Sequence, residues 1–268
     1  MYNHYLPSAI LGAVQGIAEF LPISSSGHLI IARHFLHMED PGNMFDAVLH
    51  LATLLALLIY FRIEWAKMIK SWTTKGRNTR SAGVYRRMGI LLVIATIPAL
   101  AMGWFLNNWI EVNFRSLLSV AISLIVTGVF LWAAEKFFNG KADIKLLNWP
   151  RALGIGLAQT IAILPGISRS GATIAVGMYM GLKREAAAKF SFLMATPVIA
   201  AAGGYSLLST IREGISLDNW QLMAVAFAVA LLFSFIAISW LMKFVKNYSL
   251  QVFAWYLILA GIALIIIT

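Results

Sequence analysis

The chain has 268 residues, 60% of them hydrophobic and only 12% charged, with a net charge of +10 and a mean hydropathy of +0.80. A soluble surface needs about 25% charged residues, so a soluble domain is excluded and a polytopic membrane protein is expected. Cysteine is absent, which excludes disulfides and thiolate metal sites, and no Lys or Arg precedes Leu6, so no cleavable signal is expected.

The first apolar region, roughly 6–37, is broken by Pro22-Ile23-Ser24-Ser25-Ser26-Gly27-His28. The stretch before the break has about 16 residues and reaches about 24 Å as a helix, short of a hydrocarbon core about 30 Å thick. A re-entrant hairpin is the simpler reading: a half-helix in, a polar turn at depth, a half-helix back. Full spans are expected at 44–62, 88–106 and 116–138. A second broken region follows at 151–181, interrupted by Pro165-Gly166-Ile167-Ser168-Arg169-Ser170-Gly171-Ala172-Thr173, and then spans at 187–211, 221–243 and 249–267. Pro98 and Pro197 read as kinks inside spans, and His4, His34 and His37 as interfacial. The expected fold is all-α and integral to the membrane, with six transmembrane helices plus two re-entrant helical hairpins in a single membrane domain.

The two broken regions are related to each other. Sliding Gln15 onto Gln159 at fixed offset brings Ile17 onto Ile161, Ala18 onto Ala162, Ile23 onto Ile167, Ser24 onto Ser168, Ser26 onto Ser170 and Gly27 onto Gly171. Apolar matches come easily by chance; Gln, Ser, Ser and Gly in register do not. An internal duplication is expected, 1–140 against 151–268. Each copy holds one hairpin and three spans, so the second enters the membrane upside down, an inverted-topology repeat.

The basic residues orient it. Those of 62–87 (Arg62, Lys67, Lys70, Lys75, Arg77, Arg80, Arg86, Arg87) fall on one side with Lys136, Lys141, Lys145, Arg151, Lys183, Arg184, Lys189, Lys243 and Lys246. Only Arg33, Arg115 and Arg212 fall on the other. The crowded side is expected to be cytoplasmic and both termini outside, so the positive charge is a topology signal and no nucleic acid partner is expected.

Glu19 and Arg169 are the charges hardest to place at a surface, one in each break. A charge at bilayer depth costs about 2.5–3.5 kcal/mol, so the two are expected to pair, as a structural tie or as part of a site. Gln15 lies one turn before Glu19, on the same face, as a buried amide or a site residue. Gly12 and Gly16 read as close helix packing. Ser24, Ser25, Ser26 and Gly27 at one half-helix start, and Ser168, Ser170 and Gly171 at the other, offer hydroxyls and backbone N–H groups to an anion. Arg169 adds a guanidinium and Thr173 a further hydroxyl. Simple N-capping would need only one Ser per break. Ser25 and His28, three apart, form a weak signal for a nucleophile and its base. His50 reads as a packing or hydrogen-bonding residue, with the rim of the site as the alternative. The cavity is expected to take a phosphate or pyrophosphate.

On these residues the chain resembles the bacterial undecaprenyl pyrophosphate phosphatase family, the bacitracin-resistance proteins. The resemblance rests on Gln15-Gly16-Ile17-Ala18-Glu19, then Ser24-Ser25-Ser26-Gly27-His28, and most specifically on the run from Pro165 to Thr173. It extends over essentially the whole chain. It implies a multi-pass phosphatase of the bacterial cytoplasmic (inner) membrane that converts undecaprenyl pyrophosphate to undecaprenyl phosphate and inorganic phosphate. Such an enzyme recycles the carrier lipid for peptidoglycan synthesis and confers bacitracin resistance. By resemblance Glu19, Ser25, His28 and Arg169 are catalytic, with Gln15, Ser24, Ser26, Gly27, Ser168, Ser170, Gly171 and Thr173 around the phosphates. Many relatives carry Glu where Gln15 stands, which leaves Glu19 as the best ligand for a divalent cation, Mg or Ca, if one assists. Three routes stay open: attack by Ser25 with His28 relaying the proton, attack by His28, or attack by water. The rival class is an inverted-repeat transporter or flippase of a phosphorylated lipid or other anion, and a third is a binder that sequesters the lipid. The sequence fixes no oligomeric state, a homodimer being one option.

Overall fold

The computed structural model describes residues 5–38, 42–73, 80–212 and 220–268; His4, Lys75 and Arg77 lie outside it. Helices α1 (Tyr5–Ala18) and α2 (Ser25–Phe35) flank the first break, and α3 (Asn43–Tyr60) follows. Next come α4 (Arg62–Thr73), α5 (Arg80–Asn113) and α6 (Leu117–Lys136). A 3₁₀ turn at Ile144–Leu146 leads to α7 (Trp149–Ile161) and α8 (Arg169–Tyr179), which flank the second break. The chain ends with α9 (Arg184–Arg212), α10 (Trp220–Asn247) and α11 (Gln251–Ile267).

Among the described residues, four helical stretches are long and apolar enough to cross a membrane: Ala82–Leu106, Leu117–Lys136, Arg184–Leu208 and Trp220–Asn247. A fifth counts if α3 and α4, which meet at 71°, are taken together. The protein is thus a helical, multi-pass membrane protein. The expected span at 249–267 is the shorter apolar helix α11, and α1 is likewise short. One element was not foreseen: the basic segment after residue 62 begins with a helix, α4, rather than a loop. Pro98 and Pro197 both sit inside helices, as expected.

Helix ends follow the local chemistry. Ser116 accepts from the Ser119 N–H to start α6, Asn148 accepts from Arg151 N to start α7 with Pro150 in its first turn, and Ser24 and Ser168 do the same for α2 and α8. Glycines set how closely helices approach. A Cβ on Gly12 or Gly16 would stand 2.5 Å from the carbonyl oxygens of Ala226 and Ala230, so α1 lies directly on the backbone of α10. Gly156 lets α7 lie equally close to Ala95 of α5. Between α6 and α11 the contact is reciprocal: Gly128 faces the Ala254 carbonyl and Gly261 faces the Ala121 carbonyl.

Polar ties hold the remaining ends. Glu135 at the end of α6 accepts two bonds from Arg184 at 2.8 and 2.6 Å and one from the Leu250 N–H at 2.8 Å, joining α6, α9 and the α10–α11 corner. Lys189 reaches Glu64 of α4 at 2.6 Å. Arg33 pairs with Asp46, tying α2 to the start of α3.

Candidate active site

The two breaks meet inside the protein, and their backbones touch. A Cβ on Gly27 would come within 3.1 Å of the Gly166 Cα. Gly166, at φ +90°, makes the turn that permits the approach. Ser170 donates to the Leu21 carbonyl at 3.0 Å, and the Gly166 N–H donates to Ser26 Oγ at 3.4 Å. The polar runs therefore stitch one break to the other across the core.

Glu19 is the hub. It is 6% exposed, yet every bond to it is a donor's. Arg169 donates to Oε1 at 2.9 Å, while Ser25 Oγ and Gln15 Nε2 donate to Oε2 at 2.6 and 3.0 Å. A buried carboxylate needs this much compensation to remain charged. Gln15 also approaches His50: its Nε2 lies 3.1 Å from His50 Nδ1, which is 3.8 Å from Glu19 Oε2. His50 thus stands at the site, the less favoured of its two sequence readings. Among the described residues, the Gln15 side-chain oxygen Oε1 is buried with no hydrogen-bond partner.

Ser24 adopts φ +75°, a left-handed conformation uncommon outside glycine, and is buried. Its Oγ caps the Gly27 N–H at 3.3 Å. Its carbonyl lies 2.8 Å from His28 Nδ1. The turn at Ser24 thus leads directly into Ser25, whose hydroxyl lies on Glu19. His28 makes its second bond to the Tyr256 hydroxyl, at 2.6 Å from Nε2. Both imidazole nitrogens are therefore engaged away from Ser25, and the group poised to take the Ser25 proton is Glu19.

In the second break Ser168, Ser170 and Thr173 are buried. Ser168 Oγ accepts from the Gly171 N–H at 3.0 Å, and its own N–H donates to Thr127 Oγ1 at 3.3 Å. Thr173 Oγ1 donates to the Arg169 carbonyl at 2.8 Å and lies 2.6 Å from Ser191 Oγ. These hydroxyls hold the turn that carries Arg169. Ser26, by contrast, is exposed, and Ser25 is half-buried. Tyr256, Thr127 and Ser191 escaped the sequence reading, because nothing local marks a polar side chain on a distant helix as a neighbour of the break.

A protein-held metal does not fit the donors present. Among the described residues no three of His, Cys, Asp and Glu gather as a metal site, and both Glu19 oxygens carry hydrogen bonds, one from a cation.

The family profile described as bacitracin resistance protein BacA matches residues 8–263. Among curated relatives, an undecaprenyl-diphosphatase of Gemmatimonas aurantiaca is 41% identical over 94% of this chain and 94% of its own. One from Rubrobacter xylanophilus is 39% identical over 94% of this chain and 93% of its own, and one from Mycolicibacterium smegmatis is 39% identical over 97% and 95%.

Proposed function

The chain belongs to the bacitracin resistance protein BacA family, and we propose that it is an undecaprenyl-diphosphatase. It hydrolyses the terminal phosphate of undecaprenyl pyrophosphate, releasing inorganic phosphate and the undecaprenyl phosphate used as carrier lipid in wall synthesis. Removing pyrophosphate lipid in this way underlies bacitracin resistance. The observation that carries the mechanism is the line from Ser25 through Glu19 to Arg169, with bonds of 2.6 and 2.9 Å.

In this mechanism the pyrophosphate enters between the breaks. Arg169 turns part of its guanidinium to the terminal phosphate, and the half-helix starts at Ser25 and Arg169 add backbone N–H groups. Ser25 Oγ attacks the terminal phosphorus, and its proton passes to Glu19 Oε2. The bond from phosphorus to the bridging oxygen breaks, and undecaprenyl phosphate leaves with that oxygen. Charge spread over the phosphoryl oxygens is held by groups already oriented. Water then cleaves the phosphoserine and Glu19 returns the proton. A divalent cation that assists would come with the pyrophosphate and supply charge stabilisation there, with Glu19 the nearest carboxylate of this chain; no step above depends on it.

The finer architecture belongs to the same proposal: six spans with two re-entrant hairpins in an inverted repeat, set in the bacterial inner membrane with the basic side cytoplasmic and both termini outside. The reciprocal α6–α11 glycine contacts support it, as does the matching close approach of α1 to α10 and α7 to α5. So does the register in which Ser25 and Arg169 occupy equivalent positions of the two breaks.

The test is phosphate release from undecaprenyl pyrophosphate in detergent, where no gradient exists for a transporter to use. Release by the native protein that collapses in Glu19→Gln and Arg169→Ala supports the proposal; a folded native protein that releases none refutes it.

A further inference from the structure

We propose that Tyr256 and His28 form the subsite for the lipid-bearing phosphate of the substrate, next to the Ser25, Glu19 and Arg169 subsite for the terminal phosphate. The inference rests on the phosphatase reading above. It starts from the imidazole. The Ser24 carbonyl can only accept, so His28 Nδ1, 2.8 Å away, carries a hydrogen. In the neutral ring Nε2 is then an acceptor, and Tyr256 donates its phenol hydrogen to it at 2.6 Å. The two rings lie nearly parallel, 18° apart, with centroids separated by 5.7 Å. His28 is thereby held with its Nε2 acceptor lone pair on the Tyr256 hydroxyl of α11.

Tyr256 itself stands at a boundary. It is 44% exposed and shares a helix face with Val252 and Leu259, which are 56% and 62% exposed. That face is apolar on either side of the phenol, as a surface bathed in lipid tails is. A polyprenyl chain lying along α11 has its first polar contact at the Tyr256 hydroxyl. Ser25 and His28 are three residues apart on α2, which places their Cβ atoms about 5–6 Å apart. Two phosphates joined through one oxygen span a similar distance. With the terminal phosphorus at Ser25, the phosphate that carries the tail lies against His28 and Tyr256. The phenol then turns its hydrogen from Nε2 to a phosphate oxygen, and the tail remains on the apolar face of α11.

Tyr256→Phe keeps the ring and removes only the hydroxyl. The expected result, in detergent, is a paired rise of about tenfold in KM for undecaprenyl pyrophosphate and in the inhibition constant of undecaprenyl phosphate, with kcat changed by less than about twofold. Tyr248→Phe, the same change on an exposed ring at the end of α10, should move neither constant. Unchanged constants in Tyr256→Phe overturn the subsite. So does a fall in kcat alone, which would mean that the phenol acts through His28 rather than on phosphate, and so does an equal effect from Tyr248→Phe. If the native protein releases no phosphate, the phosphatase reading fails by itself. Thermal protection by undecaprenyl phosphate, compared between native and Tyr256→Phe, then still decides whether the subsite exists.

Discussion

Replacing Arg169 with Met leaves Glu19 as a buried carboxylate without its cation. The carboxylate is 6% exposed and the lost bond is 2.9 Å long. Removing one partner of such a pair costs about 3–5 kcal/mol, whereas an exposed pair is worth about 1 kcal/mol or less. Ser25 and Gln15 still donate to Glu19 Oε2, which favours the lower end. For a chain of this size that is a fall in melting temperature of roughly 6–20 °C. Glu19→Gln should cost a comparable amount, since it strands the guanidinium. The double variant removes both charges and should melt above the value expected from adding the two single losses, with a coupling of roughly 2 kcal/mol or more. The assay is thermal unfolding of all four proteins in one detergent. Single losses below about 1 kcal/mol that simply add in the double variant would refute the reasoning. They would mean that water reaches the pair and that the two breaks do not close on each other.

Ser25→Ala should lower kcat by at least about 10²-fold while leaving the melting temperature within a few degrees, because it removes one hydroxyl and no charge; retained phosphate release would shift the attack to water or His28. Gly12→Ala should destabilise by about 1–3 kcal/mol, since its Cβ would meet the Ala226 carbonyl, whereas Gly83→Ala, exposed on α5 with open space around it, should stabilise by up to about 1 kcal/mol. Urea or thermal unfolding of the two variants reads both signs at once. A chelator should reduce turnover where the cation travels with pyrophosphate, yet leave the melting temperature of the substrate-free protein unchanged. A fall in that temperature would reveal a resident ion instead.

Much of this was legible in the sequence because the bilayer is an unforgiving solvent. Polar residues inside apolar runs must have partners, so Pro22 to His28 and Pro165 to Thr173 announced themselves, and the opposite charges of Glu19 and Arg169 announced each other. The register match between them, Gln15 on Gln159 and Ser24 on Ser168, then put the two breaks on equal footing. What stayed hidden was whatever depends on rotation about a helix or on distant packing. His28 and Tyr256 are 228 residues apart, and no local pattern joins them. His50 lies in an apolar helix where a lone imidazole usually packs, and only the placement of α3 brings it to Gln15. The sequence also suggested Ser25 and His28 as partners by spacing alone. The left-handed turn at Ser24 instead places the Ser25 hydroxyl on Glu19, while His28 bonds elsewhere. Helix α4 was missed because its composition reads as a charged loop, with Arg62, Glu64, Lys67 and Lys70 in twelve residues.

The crosswise packing of the helices has a consequence for biosynthesis. Helix α1 rests on α10, and Glu19 waits for a cation 150 residues downstream. At about 5–20 residues per second, a ribosome needs roughly 8–30 s to supply that cation, and longer to supply α10. Through that interval the nascent first half carries a carboxylate that has only first-half groups, Gln15, Ser25 and the more distant His50, to solvate it. The half-made protein is therefore a natural client for insertion factors, and slowing translation between the two breaks should expose it to membrane proteases before the second half arrives.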